Sequence, residues 1–589
     1  MNGYAQEDET VIVTATRTAR TADETLAPVT VITREDIVRL QAQSLQDVLG
    51  GTPGLSIGNS GGEGKLSSMF LRGTNSSHVL VLIDGVKVGS AASGTARIEH
   101  IPVELIDRIE VVRGPRSSLY GSEAIGGVIQ IFTRRDTGTF TPSFSVGAGS
   151  DRTAKISTGI SANEGNAWMS AHVSHSYTHG YNACSGSSVS FSGCFTEEPD
   201  DDAYRNTAYS LSAGWRFGNG AEFDVHSLRS EGKVEYDGTF QNESETVQQV
   251  IGTRLRFSPL QSWAVTLAAG QSRDESDNFL NDVFASRFDT TRDSLSWQND
   301  FLVGGGQTIS AGIDWQQDRV DGTADYDVDK RNNTGVFAQY QVSFGHNEIQ
   351  LAARRDDNEQ FGIQSTGSVA WGYALNDRLR LTASYGTAFK APTFDDLYFP
   401  FFGNPDLDPE TSRSMEIGLA GKERFGRWSV NVFETRIEDL IGFDTAFNIV
   451  NIDEARIRGM ETVLDGNISE LQYSLNLTLL DPENRSDGPN KGNILPRRPE
   501  TSLRIDIDRE VGPFRMGGTF QAAGRRFDNA ANTARLGGYG VVDLRAEYNL
   551  SRHWLAQGRI VNLFDKDYET VDYFNQSGRA VFFTLRYQP

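Results

Sequence analysis

The stretch 166–177, NAWMSAHVSHSY, alternates between two kinds of side chain. One face of an extended chain would carry its apolar or small residues, which are Ala167, Met169, Ala171 and Val173. The opposite face would carry polar residues, which are Ser170, His172, Ser174 and Ser176. Because successive side chains of a strand point to opposite faces, the pattern predicts a β-strand between two different solvents.

The same alternation recurs after residue 136, for example in 379–385, 427–432 and 554–560. Short polar turns such as 376–378 separate some of these segments, and long acidic stretches rich in Gly and Asn separate others. This asymmetry is typical of an outer-membrane β-barrel, which has short inner turns and long outer loops.

A soluble all-β protein is the alternative, since its strands alternate as well. Two features favour the membrane barrel: aromatic residues such as Trp428 and Trp554 lie at strand ends, and the sequence closes on an alternating segment, 580–587, followed by Gln588 and Pro589. Residues 137–589 number 453, so 22 strands leave about 21 residues for each strand and its connection, and 16 strands leave about 28. Spanning strands need about 10 residues, so we predict 22 antiparallel strands.

Composition narrows the classes of function. The net charge of −23 disfavours a nucleic-acid partner, which would need a basic stripe. Apolar runs such as Val79–Ile83 are far shorter than the roughly 18 residues of a transmembrane helix. The eight histidines form no HExxH array, and no nucleophile with a neighbouring base is recognised, so an enzyme is disfavoured.

The ends and the cysteines bear on the compartment. Residues 1–9 have no basic start and no apolar stretch, so no signal peptide is visible. The chain is therefore either cytoplasmic or has already lost a leader. The junction of Ala5 and Gln6 is the kind of small-residue site that removal of a leader leaves. Cys184 and Cys194 lie ten positions apart in a Ser/Gly-rich segment. A local disulfide fits an exported chain, whereas a metal or redox site would need closer spacing or added His ligands.

Residues 1–135 have a different pattern. They contain short apolar runs at Val29–Ile32, Val79–Ile83, 108–112 and 127–132, and helix-like stretches at 34–39 and Leu45–Leu49. We therefore predict a compact α+β domain over 21–135, preceded by a segment 1–20 and followed by the barrel over 136–589. A 22-stranded barrel has a lumen wide enough to require a plug, and this domain has a suitable size to fill it.

Four motifs resemble those of TonB-dependent outer-membrane receptors. In the first domain they are LSSMFLRGTNSSHVLVLIDG at 66–85 and IDRIEVVRGPRSSLYGSEAIGGV at 106–128. In the barrel they are YGTAFKAPTFDDLYFPFFGNPDLDPE at 385–410 and VNLFDKDYETVDYFNQSGR at 561–579. Within this family, the first motif, THGY at 178–181 and NLFDKDYETV at 562–571 are most similar to the cobalamin receptors.

This resemblance implies active import of cobalamin (vitamin B12) and related corrinoids, with TonB and its inner-membrane complex as partners and outer-membrane lipid around the barrel. It leaves room for a surface lipoprotein as a further partner. A plugged barrel cannot pass a large ligand passively, and the outer membrane has neither ATP nor an ion gradient, so energy must arrive through such a partner. A receptor for a ferric siderophore or another large nutrient is the alternative, and the plug argues against a diffusion porin.

The segment before the plug resembles the TonB box of the family. It consists of Glu9, Thr10, Val11, Ile12, Val13, Thr14 and Ala15. Its β-branched residues suit pairing as an added strand on a partner's sheet edge. The alternative is that these residues form the first strand of the plug.

Arginines and acidic residues carry two further predictions. Arg72 and Arg113 lie in apolar plug segments, where an unpaired buried charge costs several kcal/mol. The resemblance pairs them with Glu416 and Glu461, as a lock between plug and barrel. The alternative is four independent solvated charges.

Five carboxylates crowd into 197–202. Hard oxygen ligands suit Ca²⁺, although a solvated acidic loop is the alternative. By resemblance, the structural calcium ligands are Asp200, Asp202 and Asp237.

For the ligand itself, the resemblance indicates two plug hairpins, 59–68 and 89–97, which are rich in Gly, Ser, Asn and Ala. Small residues let backbone amides approach a large ligand closely. The predicted contacts are Asn59, Ser60, Lys65, Ser67, Ser90, Ala91 and Ser93. Cobalamin presents neutral amides, whereas an anionic siderophore would favour several cations, for which only Lys65, Lys87 and Arg97 are candidates.

Overall fold

The structure is a computed structural model that describes residues 12–13, 17, 20–21, 25–136, 138–189, 193–196, 198–443 and 448–588. Five residues of the predicted TonB box lie outside the described residues: Glu9, Thr10, Val11, Thr14 and Ala15. The other two form strand β1 (Ile12–Val13), which pairs with β2 (Arg20–Thr21) and not with the sheet of the plug.

The plug is built on a five-stranded sheet with a mostly apolar core. The strands of this sheet lie in the order β3 (Val29–Ile32), β8 (Ile106–Arg113), β9 (Gly127–Thr133), β6 (Val79–Ile83) and β7 (Val86–Val88). A separate hairpin pairs β4 (Leu55–Asn59) with β5 (Ser67–Leu71). The plug helices are α1 (Arg34–Leu40), α2 (Leu45–Leu49) and α3 (Ser117–Tyr120). The predicted apolar runs and both predicted helices thus coincide with observed elements.

Local sequence explains where the first two helices begin. The Thr33 hydroxyl accepts from the backbone N–H of Asp36, whose carboxylate accepts from the Thr33 backbone in turn. At the start of α2 the Ser44 hydroxyl accepts from the backbone N–H of Asp47, while the Asp47 carboxylate accepts from the N–H of Gln43. Side-chain oxygens at these positions satisfy N–H groups that a helix start leaves unpaired. Both helices pack on the plug core, which includes Leu45, Leu49 and Ile109.

Twenty-two antiparallel strands close into a barrel, as predicted, and the first strand pairs with the last. The first eleven are β10 (Phe140–Gly149), β11 (Thr153–Glu164), β12 (Ala167–Thr178), β13 (Tyr204–Arg216), β14 (Glu222–Glu235), β15 (Glu243–Leu260), β16 (Trp263–Leu280), β17 (Val283–Gly304), β18 (Gln307–Gly322), β19 (Lys330–Phe344) and β20 (Asn347–Asn358). The others are β21 (Gly362–Asn376), β22 (Leu379–Lys390), β23 (Glu410–Glu423), β24 (Gly426–Phe443), β25 (Ile449–Ile468), β26 (Leu471–Asn484), β27 (Thr501–Val511), β28 (Phe514–Ala523), β31 (Tyr539–Asn549), β32 (Trp554–Val561) and β33 (Ala580–Tyr587).

The wall of the barrel is polar inside and apolar outside. In β12, Ser170 and His172 are 5% exposed and face the lumen, while Met169 is 51% exposed on the outer surface. Aromatic residues pair near the end with short turns, as in Trp263 with Phe301, whose ring centroids are 5.7 Å apart. This arrangement inverts that of a soluble β-barrel and fits a lipid-facing wall.

The two ends of the barrel differ in their connections. One end has short turns such as 261–262 and 377–378, and the opposite end has the long loops 179–203, 391–409, 485–500, 524–538 and 562–579. The loop 391–409 contains α4 (Phe394–Tyr398), and the loop 524–538 contains a small hairpin of β29 (Arg526–Phe527) and β30 (Arg535–Leu536). The end with long loops is the outer one. Among the described residues, no helix is long and apolar enough to cross a membrane.

Candidate functional site

Arg72 joins the plug to two neighbouring regions of the wall. It follows β5 with a positive φ of 53°, and its side chain is 2% exposed. The guanidinium donates to both carboxylate oxygens of Glu416 at 3.0 Å and to both of Glu461 at 2.9 Å. Burial alone would lower the pKa of Arg72, but the two carboxylates raise it above its ordinary value, so the cation is held.

Glycine makes room for this arrangement. Gly54 has a φ of +75°, and a Cβ placed on it would lie 2.1 Å from Oε1 of Glu461. The backbone N–H of Arg72 donates to the carbonyl of Gly54 at 2.6 Å. Any side chain at position 54 would therefore push Glu461 away from Arg72.

Arg113 approaches the same carboxylate from the sheet of the plug. Its Nε lies 3.1 Å from Oε2 of Glu461, and its Nη1 donates to the hydroxyl of Thr30. Glu461 therefore receives both plug arginines, whereas Glu416 receives Arg72. The structure brings the four residues proposed as the lock into one buried cluster.

A second buried contact between plug and wall joins His78 to Glu410, and the sequence does not predict it. Nε2 of His78 in the plug lies 3.0 Å from Oε2 of Glu410, and Nζ of Lys390 lies 3.0 Å from the same oxygen. The backbone N–H of Asn75 donates to Nδ1 of His78 at 3.2 Å, which places the proton of a neutral ring on Nε2. No local pattern identifies this contact, because His78 and Glu410 are 332 positions apart.

The N-terminal segment is also tied to the wall. Nη2 of Arg17 donates to Asp314 at 2.7 Å, and its guanidinium lies over the rings of Tyr120 in the plug and Phe337 in the wall. Arg354 pairs with the same Asp314 at 2.5 Å. Arg17 lies two positions after the predicted TonB box, so movement of the box would act directly on this ion pair.

Both plug hairpins lie beneath outer loops. The N–H of Asp395 in α4 donates to the carbonyl of Ala92 at 3.0 Å, and the side chain of Gln576 donates to the carbonyl of Asn59 at 3.0 Å. Among the predicted ligand contacts, Ser93 is exposed and Asn59 and Ser60 are half-buried. The remaining four are buried: Lys65, Ser67, Ser90 and Ala91.

Lys65 is occupied by the protein itself. Its Nζ donates to the carbonyl of Asp202 at 2.8 Å, so it joins a plug hairpin to the outer loop 179–203. Burial lowers the pKa of Lys65 to about 8. The ammonium group of Lys65 is therefore bonded to the loop and is turned away from the outer solvent. The sequence of the hairpin alone does not reveal the backbone acceptors that this loop supplies.

The loop 179–203 is held by the disulfide of Cys184 and Cys194. The N–H of Cys194 donates to the carbonyl of Asp572 at 3.1 Å, which links this loop to the loop 562–579. Asp202 accepts from the N–H of Ala183 at 2.7 Å, and Asp200 is exposed. Glu197 lies outside the described residues.

Asp237 is a buried carboxylate that forms no ion pair among the described residues. It is 7% exposed, and neither of its oxygens accepts a hydrogen bond among the described residues. Burial and the neighbouring charges of Asp202, Glu198 and Asp200 raise its pKa to about 7. The residues that the structure describes contain no group of three or more His, Cys, Asp or Glu side chains placed to hold a metal ion.

A cavity of about 1160 Å³ lies between the plug and strands β14–β20. Lys87 and Arg108 line it from the plug, and Asp224, Asp300 and Ser343 line it from the wall. Burial lowers the pKa of Lys87 to about 8. The cavity reaches residues of the inner turns, so Lys87 lies at the inner side of the plug and not on the outer hairpins.

Comparison with known proteins agrees over nearly the whole chain. The family described as "TonB-dependent Receptor Plug Domain" matches residues 21–128, and "TonB dependent receptor-like, beta-barrel" matches 130–563. The Vitamin B12 transporter BtuB of Photobacterium profundum is 32% identical over 99% of this chain and 96% of its own length.

Two solved structures show the same fold. The siderophore receptor PirA from Acinetobacter baumannii has a TM-score of 0.83 at 18% identity, covering 96% of this chain and 99% of that one. A mutant of the ferric enterobactin receptor PfeA from Pseudomonas aeruginosa has a TM-score of 0.82 at 18% identity, covering 98% and 100%. At this identity the similarity concerns the fold alone.

Proposed function

The chain belongs to the TonB-dependent receptor family of outer-membrane transporters, and from this premise we propose that it imports cobalamin and related corrinoids. The observation that carries the proposal is the 32% identity to a vitamin B12 transporter over 99% of the chain. The neutral, Gly- and Ser-rich hairpins 59–68 and 89–97 support it, because they suit a ligand with a neutral polar rim.

The positions of the three candidate cations also support a neutral ligand. Lys65 is bonded to a backbone carbonyl, Lys87 lines the inner cavity, and Nε of Arg97 lies 3.3 Å from Asp274. A receptor for an anionic iron chelate would be expected to direct such cations to the ligand. Affinity for cobalamin would instead come from buried area and amide hydrogen bonds.

Titration of the purified receptor with cyanocobalamin and with ferric siderophores tests the substrate. We expect saturable cyanocobalamin binding that depends weakly on monovalent salt and that weakens in Ser93→Trp, which places bulk on the exposed hairpin. Ser262→Trp, in the inner turn 261–262, is the matched control and should bind normally. Tight binding of an iron chelate without binding of cyanocobalamin would replace cobalamin by a siderophore as the substrate.

Calcium at the outer loops is part of the same proposal. The partnerless oxygens of Asp237, beside Asp200 and Asp202, fit a hard cation better than they fit an uncompensated buried acid. Calcium bound there would order the loops above the hairpins. Asp237→Asn should abolish the effect of millimolar Ca²⁺ on cyanocobalamin affinity, while Asp201→Asn, an exposed neighbour, should preserve it; an unchanged calcium response in Asp237→Asn rules out the site.

The segment 9–15 is proposed as the contact with TonB. Proline at Val11 or Val13 removes a backbone donor needed for strand pairing, so uptake should stop while cyanocobalamin binding to whole cells persists. Ala5→Pro, upstream of the box, is the control and should leave uptake intact. Normal uptake in both box variants would place the contact elsewhere.

A further inference from the structure

Arg526 is a buried arginine that forms no ion pair among the described residues. It lies in β29, within the outer loop 524–538, and is 2% exposed. Its Nε has no hydrogen-bond partner in the same part of the chain. The guanidinium carbon lies 5.6 Å from the centroid of the Tyr539 ring. Burying a cation in this way is unfavourable unless another group compensates its charge.

Two other buried arginines on this side of the barrel are compensated by the protein itself. Arg504 in β27 pairs with Asp506 at 2.8 Å, and Arg545 in β31 pairs with Asp508 at 2.6 Å. Both pairs lie within or between strands of the wall. The burial of Arg526 without an acidic partner therefore requires a separate explanation.

The hairpin of β29 and β30 directs Arg526 inward. Arg526 lies opposite Leu536, which is 4% exposed. The preceding Arg525 points the other way, since its side chain is 53% exposed and its Nε lies 3.0 Å from Glu500. Because successive side chains of a strand alternate, one arginine of the pair meets solvent and the other meets the interior.

Arg526 lines a cavity of about 300 Å³ between the plug, the wall and two outer loops. Asn59 of the hairpin 59–68 lines it from the plug, and Tyr181 and Gln576 line it from the outer loops. Ligand pockets have volumes of about 300–1,000 Å³, so this cavity suits a small anion or one arm of a large ligand. It adjoins a hairpin that is predicted to contact the ligand.

Two tyrosines line the same cavity. The rings of Tyr539 and Tyr568 lie 4.3 Å apart. Burial raises the pKa of Tyr568 well above its ordinary value, so its hydroxyl stays protonated and is available as a donor. A guanidinium fork with hydroxyl donors beside it suits a phosphate group, which has several acceptor oxygens.

Four carboxylates also line the cavity, and none of them forms an ion pair with Arg526. Three are bonded elsewhere in the protein: Asp47 to Arg559, Glu63 to Lys155, and Asp202 to the N–H of Ala183. The fourth, Asp151, lies in the turn between β10 and β11. That turn is three strands from β31 around the wall, which is about 14 Å at about 4.8 Å per strand. The charge of Arg526 is therefore free for an incoming anion.

We propose that this cavity binds a phosphate group, with Arg526 as its principal contact. Two sources present this chemistry. One is free inorganic phosphate, and the other is the phosphodiester in the nucleotide arm of cobalamin, a source that rests on the proposed function. Cyanocobalamin is neutral overall because its cobalt centre balances that phosphodiester, so a single buried contact with Arg526 adds to the amide hydrogen bonds without strong salt dependence.

Isothermal titration calorimetry of the purified receptor in phosphate-free buffer tests the site with three probes. These are cyanocobalamin, inorganic phosphate, and dicyanocobinamide, which keeps the corrin ring but lacks the phosphodiester and the nucleotide arm. If the corrinoid supplies the phosphate, Arg526→Gln should lose about tenfold in affinity for cyanocobalamin and bind dicyanocobinamide like the wild type. If free phosphate is the source, the same variant should lose about tenfold in affinity for inorganic phosphate.

Two further variants separate the charge from its position. Arg525→Gln removes the same charge from the exposed neighbour and should bind all three probes like the wild type. Arg526→Lys keeps the charge but loses the planar fork, so its affinity should lie between those of the wild type and Arg526→Gln. Arg526→Gln removes an uncompensated charge and leaves no acidic partner behind, so the barrel should stay folded, which its circular dichroism checks.

Unchanged affinity of Arg526→Gln for both cyanocobalamin and inorganic phosphate overturns the proposal and means that Arg526 is only hydrated. An equal loss for cyanocobalamin and dicyanocobinamide, or an equal loss in Arg525→Gln, overturns it as well. If the wild type binds neither corrinoid, the proposed function fails while the phosphate titration still decides the site. Absence of phosphate binding by the wild type then overturns the site too.

Discussion

The interior of the plug and the boundary between plug and wall differ in the charged side chains that they contain. Inside the plug, Leu49, Ile109 and Ile129 are fully buried in one apolar cluster. At the boundary, charged groups meet, as in Arg72 with Glu416 and Glu461. The plug thus holds itself together by apolar burial, whereas ion pairs and hydrogen bonds join it to the wall beside smaller apolar contacts such as that of Ile125 with Phe433 and Ile457.

This difference has a mechanical meaning. An apolar core loses contact area whenever any part of it opens, and the loss is cooperative. Ion pairs and hydrogen bonds are directional, and each can be exchanged for water separately. A force applied to the N-terminal segment should therefore displace the plug against the wall, first at Arg17 and Asp314, before it opens the core.

A covalent bond between plug and wall should have the largest effect on transport. The hydroxyl oxygens of Ser118 in α3 and Ser368 in β21 are 3.0 Å apart, so cysteines at both positions can form a disulfide between plug and wall. If the plug shifts against the wall, oxidation should abolish cobalamin uptake, and a reductant should restore it. Uptake of radiolabelled cobalamin by whole cells measures the effect.

A matched lock distinguishes plug movement from the mere presence of a new disulfide. The hydroxyls of Ser170 and Ser212 are 2.7 Å apart and both belong to the wall. Cysteines there should leave uptake unchanged in either redox state. Full uptake with the oxidised bond between positions 118 and 368 would mean that α3 stays in place and that only another part of the plug opens.

Removing the central cation should have the next largest effect. Arg72→Ala leaves Glu416 and Glu461 buried with less compensation, which should cost roughly 3–5 kcal/mol of plug attachment. Urea-induced release of the plug, followed by a spin label at position 93, measures that loss. Ile109→Val, a loss of one methylene within the core, should cost only about 0.5–1.5 kcal/mol.

The contribution of charge to plug attachment can be measured within the same cluster. Neutralising the whole group in a variant with Arg72→Met, Glu416→Gln and Glu461→Gln should recover much of the attachment, because no carboxylate then remains buried without its partner. Arg113 loses its acidic neighbour in that variant, so recovery should be incomplete. If the triple variant is as weak as Arg72→Ala, packing and not charge accounts for the effect.

Sequence predicts the wall better than the boundary. Each strand of the wall lies between lumen and lipid, so its alternation is local and can be recognised in a stretch as short as 166–177. The apolar runs of the plug are equally local, and β3 and β6 have the predicted bounds. Contacts between plug and wall join residues hundreds of positions apart, such as Arg17 with Asp314, and leave no periodic pattern.

The candidate site is predicted better than the other contacts between plug and wall, but less completely than the wall itself. The motifs around Arg72, Arg113, Glu416 and Glu461 are specific enough for the resemblance to propose their grouping. The contacts of Lys65 could not be predicted from the sequence, because its hairpin is polar and glycine-rich whether or not an outer loop covers it. The burial of Lys65 depends on the position of the loop 179–203, which the local sequence of the hairpin does not contain.

Lys65 provides the smallest and most specific test, since it is a charge buried within an otherwise polar boundary. Its pKa is lowered to about 8 in the folded protein, so between pH 8 and about 10.5 the unfolded chain binds more protons than the folded one. Folded stability should therefore rise with pH across that window, and below pH 8 the buried charge costs about 3 kcal/mol.

Lys65→Met cannot titrate, although it also loses the hydrogen bond to Asp202. Relative to this variant, the wild type should gain about 3 kcal/mol in urea unfolding as the pH rises from 8 to 10.5. Lys566→Met, which removes an exposed lysine from the loop 562–579, should remain parallel to the wild type at every pH. Parallel profiles for Lys65→Met as well would mean that the ammonium group remains hydrated in the folded protein, and that the loop does not seal this part of the boundary.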